Sequence, residues 1–312
     1  MTTFNLPKLF APALFLFLLL PSCEKEESST EAKGEFSMEI TDAPIDDASV
    51  KAVFVTVTDV RLDGNSVEGF NQTTVELSSL TEGKTATLFT GQLDAKTYSS
   101  IDLVLEDGDV NGQPGCYLLN QDNEKVALEV ANEGVIRIEN STTEVKQNSA
   151  VQAVVDFDLR KALIRTEGAS ESYRFAGESR LQSSVRMVRR DQSGTLSGTV
   201  TNSTSEDGTI VVYAYEKGTY SSQEAEGEEN SRFLRAVSST TVKASGDYTL
   251  AFLPSGTYEL VAVSYKDTDS DGKIEMRGTF SASALAGVNL LGLSVNASST
   301  TTADFTLTSL IR

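Results

Sequence analysis

The sequence contains no histidine and no tryptophan, and only two cysteines and six prolines in 312 residues. Without histidine there is no Ser-His-Asp or Cys-His pair, no imidazole ligand for zinc, and no ordinary general base near neutral pH. Without tryptophan the chain lacks the largest ring on which sugars or bases stack. Positive charge is scarce too: 26 Lys and Arg stand against 45 Asp and Glu, a formal net charge of −19. Such a balance excludes a general affinity for nucleic acid or anionic lipid, and favours solubility and cations. The cysteines, Cys23 and Cys116, lie in segments of different kind, which excludes an internal disulfide and a cysteine-rich metal site. Cys116, in GQPGCYLLN, reads as a small buried hydrophobe.

What is present begins with a leader. One positive charge, Lys8, precedes an apolar run from Leu9 to Leu20. Its length suits a signal peptide, whereas a spanning helix needs about 20 residues. Leu20-Pro21-Ser22-Cys23 follows and resembles a bacterial lipobox, with Pro21 departing from the commonest middle residue. The resemblance implies cleavage after residue 22, a lipidated Cys23 and durable membrane anchoring by more than one acyl chain. Residues 23–33 are polar and aperiodic, a flexible acylated tether. Lys25-Glu26-Glu27 is similar to the surface-export signal of some Gram-negative lipoproteins, and equally to any solvated charge run. An outer-membrane anchor is expected, on the cell surface or on the periplasmic leaflet.

Beyond residue 33 short runs alternate apolar and polar residues, as in KAVFVTVTDVRL, SSIDLVLEDGDV and AVQAVVDFDL. Turn clusters such as LDGNS and NQDNEK separate them. Alternation with frequent turns predicts an all-β chain of two tandem antiparallel sandwiches, residues 34–190 and 194–312, with a hinge at 191–194. DLRKALIRT at 158–166 is the exception, with the pattern of about two helical turns. The acidic insert SSQEAEGEENS at 221–231 reads as an exposed loop, and ALAGVNLLGLSVN as a strand or a short helix.

Two resemblances follow from these stretches. TDAPIDDASVKAVFVTVTDVRL, YSSIDLVLEDGDV and VVDFDLRKAL resemble a domain of unknown function recurrent in bacterial envelope lipoproteins, which implies a β-rich fold and no established activity. SGTLSGTV, ASGDYTLAFLPSGTYELVAVSY and TTADFTL resemble the prealbumin-like sandwich of carboxypeptidase-regulatory and Cna-B-type modules. That likeness implies a spacer or adhesive stalk. Some such modules carry a Lys–Asn crosslink, but the opening strand here has no lysine, so none is expected.

The sharpest chemical motif is DTDSDGKIE at 267–275. Asp267, Asp269 and Asp271 alternate, Gly272 permits a bend, the Lys273 carbonyl would be a backbone ligand, and Glu275 follows. This matches a calcium loop through nine positions, but position twelve is Gly278 instead of the bidentate glutamate. A weak Ca²⁺ site that stiffens the loop and a solvated hairpin are both open. A second acidic set, Asp42, Asp46 and Asp47 with Asp156 and Asp158, has turn reasons to exist, and could do acid–base work on a glycoside only if its carboxylates meet. Tyr213 and Tyr215 share a strand face and read as packing residues. The sequons at Asn71 and Asn140 carry little meaning in a bacterial lipoprotein. No catalytic residues are assigned. The chain reads as a non-enzymatic envelope protein that binds or scaffolds, with an unidentified protein or glycan ligand; a carbohydrate-associated role is the competing class.

Cys23→Ser is expected to abolish incorporation of an alkyne-tagged fatty acid and to release the protein from the membrane fraction. Unchanged labelling would remove the lipid anchor.

Overall fold

The computed structural model describes residues 1–2, 32–44, 47, 49–139, 141–166, 172–227, 231–269, 274–284 and 289–312. The leader, Cys23 and the Lys25-Glu26-Glu27 stretch lie outside them. Among the described residues no helix is long and apolar enough to cross a membrane. Residues 32–312 form one compact unit, built from two β assemblies with separate cores.

In the first assembly a four-stranded sheet runs in the order Val185–Arg189, Ala150–Asp158, Lys33–Ala43, Ala86–Asp94. It faces a seven-stranded sheet centred on the long strand Val50–Leu62. Alternation decides the packing: Phe36, Met38 and Ile40 from one sheet meet Val53, Val55 and Val57 from the other in a single core. Cys116 lies in that core, 2% exposed.

The second assembly is a rolled nine-stranded sheet in which Thr209–Glu216 pairs with Ser238–Thr241 and Gly256–Lys266. Thr209–Glu216 is buried on both faces. Val212 and Ala214 enter the main core, while Tyr213 and Tyr215 join Phe233, Val263 and Tyr265 in a second cluster. The acidic insert supplies part of that cover: its ends are held by Glu259, which accepts from the Gly218 and Tyr220 amides, and by Glu224, which accepts from the Arg235 amide.

Three expectations change. Residues 158–166 make one helical turn, Leu159–Ala162, which Asp158 caps by accepting from the Lys161 amide, and then a strand, Leu163–Thr166. The expected hinge is a single 3-10 turn, Arg190–Gln192, between strands of the two assemblies. The sheets are also not wholly antiparallel. Each assembly's opening strand pairs in parallel with a later one, Glu35 opposite Ala150 and Thr195 opposite Thr300.

These parallel closures are copies of one device. Before each closing strand stands a turn of the form Val-x-x-x-Ser, residues 145–149 and 295–299. Asn148 (φ 57°) and Ser298 (φ 52°) take the left-handed backbone conformation, and their amides donate to the carbonyls of Lys33 and Ser193 at 3.0 and 2.8 Å. The Ser149 and Ser299 hydroxyls bond back to Lys146 and Asn296, both at 2.8 Å. Each turn needs a glycine opposite it. A Cβ on Gly34 would lie 2.4 Å from the Lys146 oxygen, and one on Gly194 2.3 Å from the Asn296 oxygen.

Gly34→Ala and Gly194→Ala should therefore each cost about 1–3 kcal/mol by overpacking, seen as a lower melting temperature. Gly64→Ala is the control, because a Cβ there meets open space and only the φ of 79° is strained. Equal losses at all three positions would overturn the assignment.

Candidate functional site

Parallel pairing of Lys33–Ala43 with Ala150–Asp158 sets Thr41 opposite Asp156 and Ala43 opposite Asp158. Asp42, Asp156 and Asp158 are thereby brought together at the strand ends, each at most 5% exposed. Three such carboxylates need cations, and the one-turn helix supplies two. Arg160 donates to Asp158 Oδ2 at 3.0 Å, and Lys161 Nζ lies 3.2 Å from the same oxygen. Arg186, on the neighbouring strand, pairs with Asp156. Among the described residues Asp42 has no cation; one oxygen accepts from the Leu159 amide at 3.1 Å and the other is buried with no partner among them.

The titration of the three follows from these surroundings. Burial raises Asp42 well above the usual carboxyl range, and the backbone bond from Leu159 only partly offsets it. Burial also raises Asp156, against the opposing charge of Arg186. Burial acts on Asp158 in the same sense, but Arg160 and Lys161 together outweigh it and hold this carboxyl below its ordinary value. A depressed carboxyl contributes stability above its unfolded pKa that is lost as pH falls through the folded value, so the Asp158 contribution is intact at neutral pH.

The cations reach further than their carboxylates. Arg160 donates to the carbonyl of Phe233 at 2.9 Å, Lys161 to that of Ala236 at 2.7 Å, and Arg186 to that of Phe252 at 2.9 Å. All three acceptors belong to the second assembly. Phe233 and Phe252 have φ of 52° and 54°, a backbone region that bulky side chains rarely occupy. Phe233 stacks on Tyr213 with ring centroids 4.4 Å apart, and the Arg160 guanidinium stands 5.2 Å from the Tyr213 ring. Phe252 packs against Val154 and Val188 of the first assembly. The whole is a clamp, in which Asp156 and Asp158 serve the protein's own cations. At the periphery Glu82 pairs with Lys243 at 2.8 Å and Arg190 pairs with Glu39.

The remaining acidic candidates lie elsewhere. Asp46 is outside the described residues. Asp47 is separate from the clamp and accepts from Tyr173 at 2.8 Å and from the Ser49 amide at 2.9 Å. Burial pushes the Tyr173 phenol up and the Cys116 thiol up to about 11, so neither is an activated nucleophile. Tyr213 and Tyr215 are fully buried and offer no stacking surface.

In the acidic loop Asp271 and Lys273 lie outside the described residues, whereas Asp267, Asp269 and Glu275 are brought together. One carboxylate oxygen from each lies within 4.8 Å of the others. The hairpin pairing of Lys266 with Glu275 causes this by folding the ninth motif position back beside the first. The Thr268 amide and hydroxyl donate to Glu275, at 3.0 and 2.9 Å, and fix its orientation. Gly278 also has a physical reason: a Cβ there would lie 2.2 Å from the Ile311 oxygen, which leaves no room for a twelfth-position side chain. Three carboxylates at this spacing suit a hard cation that accepts oxygen ligands.

Sequence reasoning missed Arg160, Lys161, Arg186, Phe233 and Phe252. A signal was present in DFDLRKAL, where two basic residues interrupt an apolar run in a chain poor in positive charge. Nothing local marked the two phenylalanines.

Residues 33–176 match the family model of a domain of unknown function, DUF4382. No curated protein matches. Among solved structures, the Bacillus anthracis TIE protein aligns over 88% of this chain and 34% of its own, at 12% identity and a TM-score of 0.21. This chain thus spans about a third of that protein's length. BcpA, the major pilin subunit of Bacillus cereus, aligns over 88% of this chain and 70% of its own, at 9% identity and a TM-score of 0.20. GBS52, the minor pilin of Streptococcus agalactiae, aligns over 89% and 98%, at 9% and 0.20. Likeness at this level carries no argument about role, and the all-β class rests on the strands themselves.

With about 10 mM Ca²⁺ and a dissociation constant near 10⁻³ M, the loop would gain about 1.4 kcal/mol, a few degrees in melting temperature over EDTA. Asp269→Ala should erase the shift. No shift in the parent protein, or the same shift in the variant, would exclude the site.

Proposed function

We propose that this chain is a lipid-anchored protein of the cell envelope that binds and scaffolds without catalysis. Lipidated Cys23 would hold it to the outer membrane, the tether would carry the folded part clear of the lipid, and the two β assemblies would act as one stiff piece. The observation that carries this reading is the buried clamp, in which cations of one assembly are satisfied by carbonyls of the other. A buried ion network of this kind resists separation, because parting the assemblies leaves charges without partners. It also engages Asp156 and Asp158, two of the three carboxyls gathered there. Calcium at Asp267, Asp269 and Glu275 would brace the hairpin Gly256–Ala284, in keeping with a mechanical role.

The junction gives the test. Arg189 and Arg190 are trypsin targets in the connecting turn. The parent protein should resist cleavage there. Arg160→Ala should cost about 3–5 kcal/mol as an opened buried pair, and paired with Arg186→Ala should expose the turn to cleavage while each assembly stays folded. Rapid cleavage of the parent at these arginines would overturn the stiff-scaffold reading.

A further inference from the structure

A cleft of about 510 Å³ lies where the two assemblies meet. Thr142, Met187, Val188 and Arg189 line it from the first assembly, Gln192 from the connecting turn, and Pro254, Ser255 and Ala297 from the second. That size falls within the range of about 300–1,000 Å³ usual for ligand sites, which favour domain junctions. Its lining is mainly apolar, without a cluster of charges to select a small ion.

One wall is an unpaired sheet edge. Val185–Arg189 ends the four-stranded sheet, and among the described residues its only strand partner is Ala150–Asp158. In an antiparallel pair alternate residues turn their N–H and C=O groups away from the partner. On this strand the outward groups have no backbone partner among the described residues. The strand is not bathed in water either, since Val185 and Val188 are buried and the other three are half-buried. Sheet edges are commonly guarded by charged side chains. Here Arg186 is drawn aside to Asp156 and the Phe252 carbonyl, and Arg189, though it lines the cleft, has its charge paired with Asp191 at 2.7 Å. The opposite edge, Ala86–Asp94, presents exposed Thr87, Thr90, Gln92 and Asp94, and its pairing is broken by a bulge.

An open row of backbone donors and acceptors is complementary to another strand. We propose that the cleft receives an extended peptide segment of a partner protein, which adds as a strand to Val185–Arg189 and sets alternate apolar side chains against Met187, Pro254 and Ala297. The cleft borders Met187, Val188 and Arg189 of this edge, roughly 10 Å of strand, enough to pair a short segment. Backbone bonds supply affinity in such additions, and the flanking pocket supplies selectivity. The inference rests on the binding half of the function proposed above. Tryptic resistance of the junction reports on the stiff scaffold, whereas peptide binding reports on the cleft, so either can fail alone.

The full chain, purified in detergent, would be panned against a display library of random twelve-residue peptides. Enriched sequences with apolar residues at alternate positions are expected. Ala297→Trp and Thr142→Trp, both at exposed positions on opposite walls, should each weaken the enriched peptide at least about tenfold without lowering the melting temperature. N-methylation of one alternate set of peptide amides should abolish binding, and of the other set should leave it unchanged. Three results would each overturn the proposal: no enrichment, binding indifferent to both tryptophan variants, or equal tolerance of both methylated sets. Concentration-dependent self-association that Ala297→Trp abolishes would also overturn it, by making a second copy the occupant.

Discussion

Everything in the folded part depends on how two buried cations, Arg160 and Lys161, and the half-buried Arg186 are satisfied at one place. Arg160, Lys161 and Arg186 have carboxylates beside them, but those carboxylates do not exhaust their donors. Further donors are taken by carbonyls of Phe233, Ala236 and Phe252, while the Arg186 Nε is buried without a partner among the described residues. An unmet donor on a guanidinium held away from water is costly, so each donor that a carbonyl of the second assembly meets ties the first assembly to it. This explains why two β assemblies with separate cores behave as one compact unit. It also places basic residues at the junction of a chain whose net charge is strongly negative.

The acceptors are not neutral bystanders. Backbone in the left-handed region costs a bulky residue of order 1–3 kcal/mol and persists only where the surroundings determine it. Phe233 and Phe252 both stand in that conformation, and both offer their carbonyls to an arginine of the clamp. Their rings are used as well, one on Tyr213 and the other on Val154 and Val188. Strain, ion pairing and apolar packing thus coincide at the junction. The hydrogen bonds to charged donors, at about 1.5–3 kcal/mol each, are of the size needed to offset the strain.

Much of the architecture was legible because alternation and turn chemistry are local. Tyr213 and Tyr215 read as packing residues and Cys116 as a buried hydrophobe, and all three are in cores. The acidic motif placed Asp267, Asp269 and Glu275 in one loop, and strand pairing brings them together. What stayed illegible depends on pairing across distance. Asp42 and Asp158 meet through a parallel register between strands more than a hundred residues apart, so the turn reading of TDAPIDDA was incomplete for Asp42. Local sequence likewise gave Leu159–Ala162 its turn of helix, but Leu163–Thr166 became a strand because Ser172–Phe175 pairs with it. The shared Gly and Val-x-x-x-Ser device escaped notice because a glycine and a five-residue turn are too little text to stand out.

That device has a consequence for the order of folding. In each assembly the opening strand is pinned by a turn and strand about a hundred residues later, so its sheet cannot close until nearly the whole assembly has been made. Closure at such separation is slow, because loop entropy is lost before contacts repay it. The first assembly bears a further delay, since the carbonyls that complete its buried cations arrive only with residues 233–252. A growing chain would therefore stay open until late and then close in sequence, first sheet, second sheet, clamp. Such a timetable suits a polypeptide that must be handed on unfolded before it takes its final form.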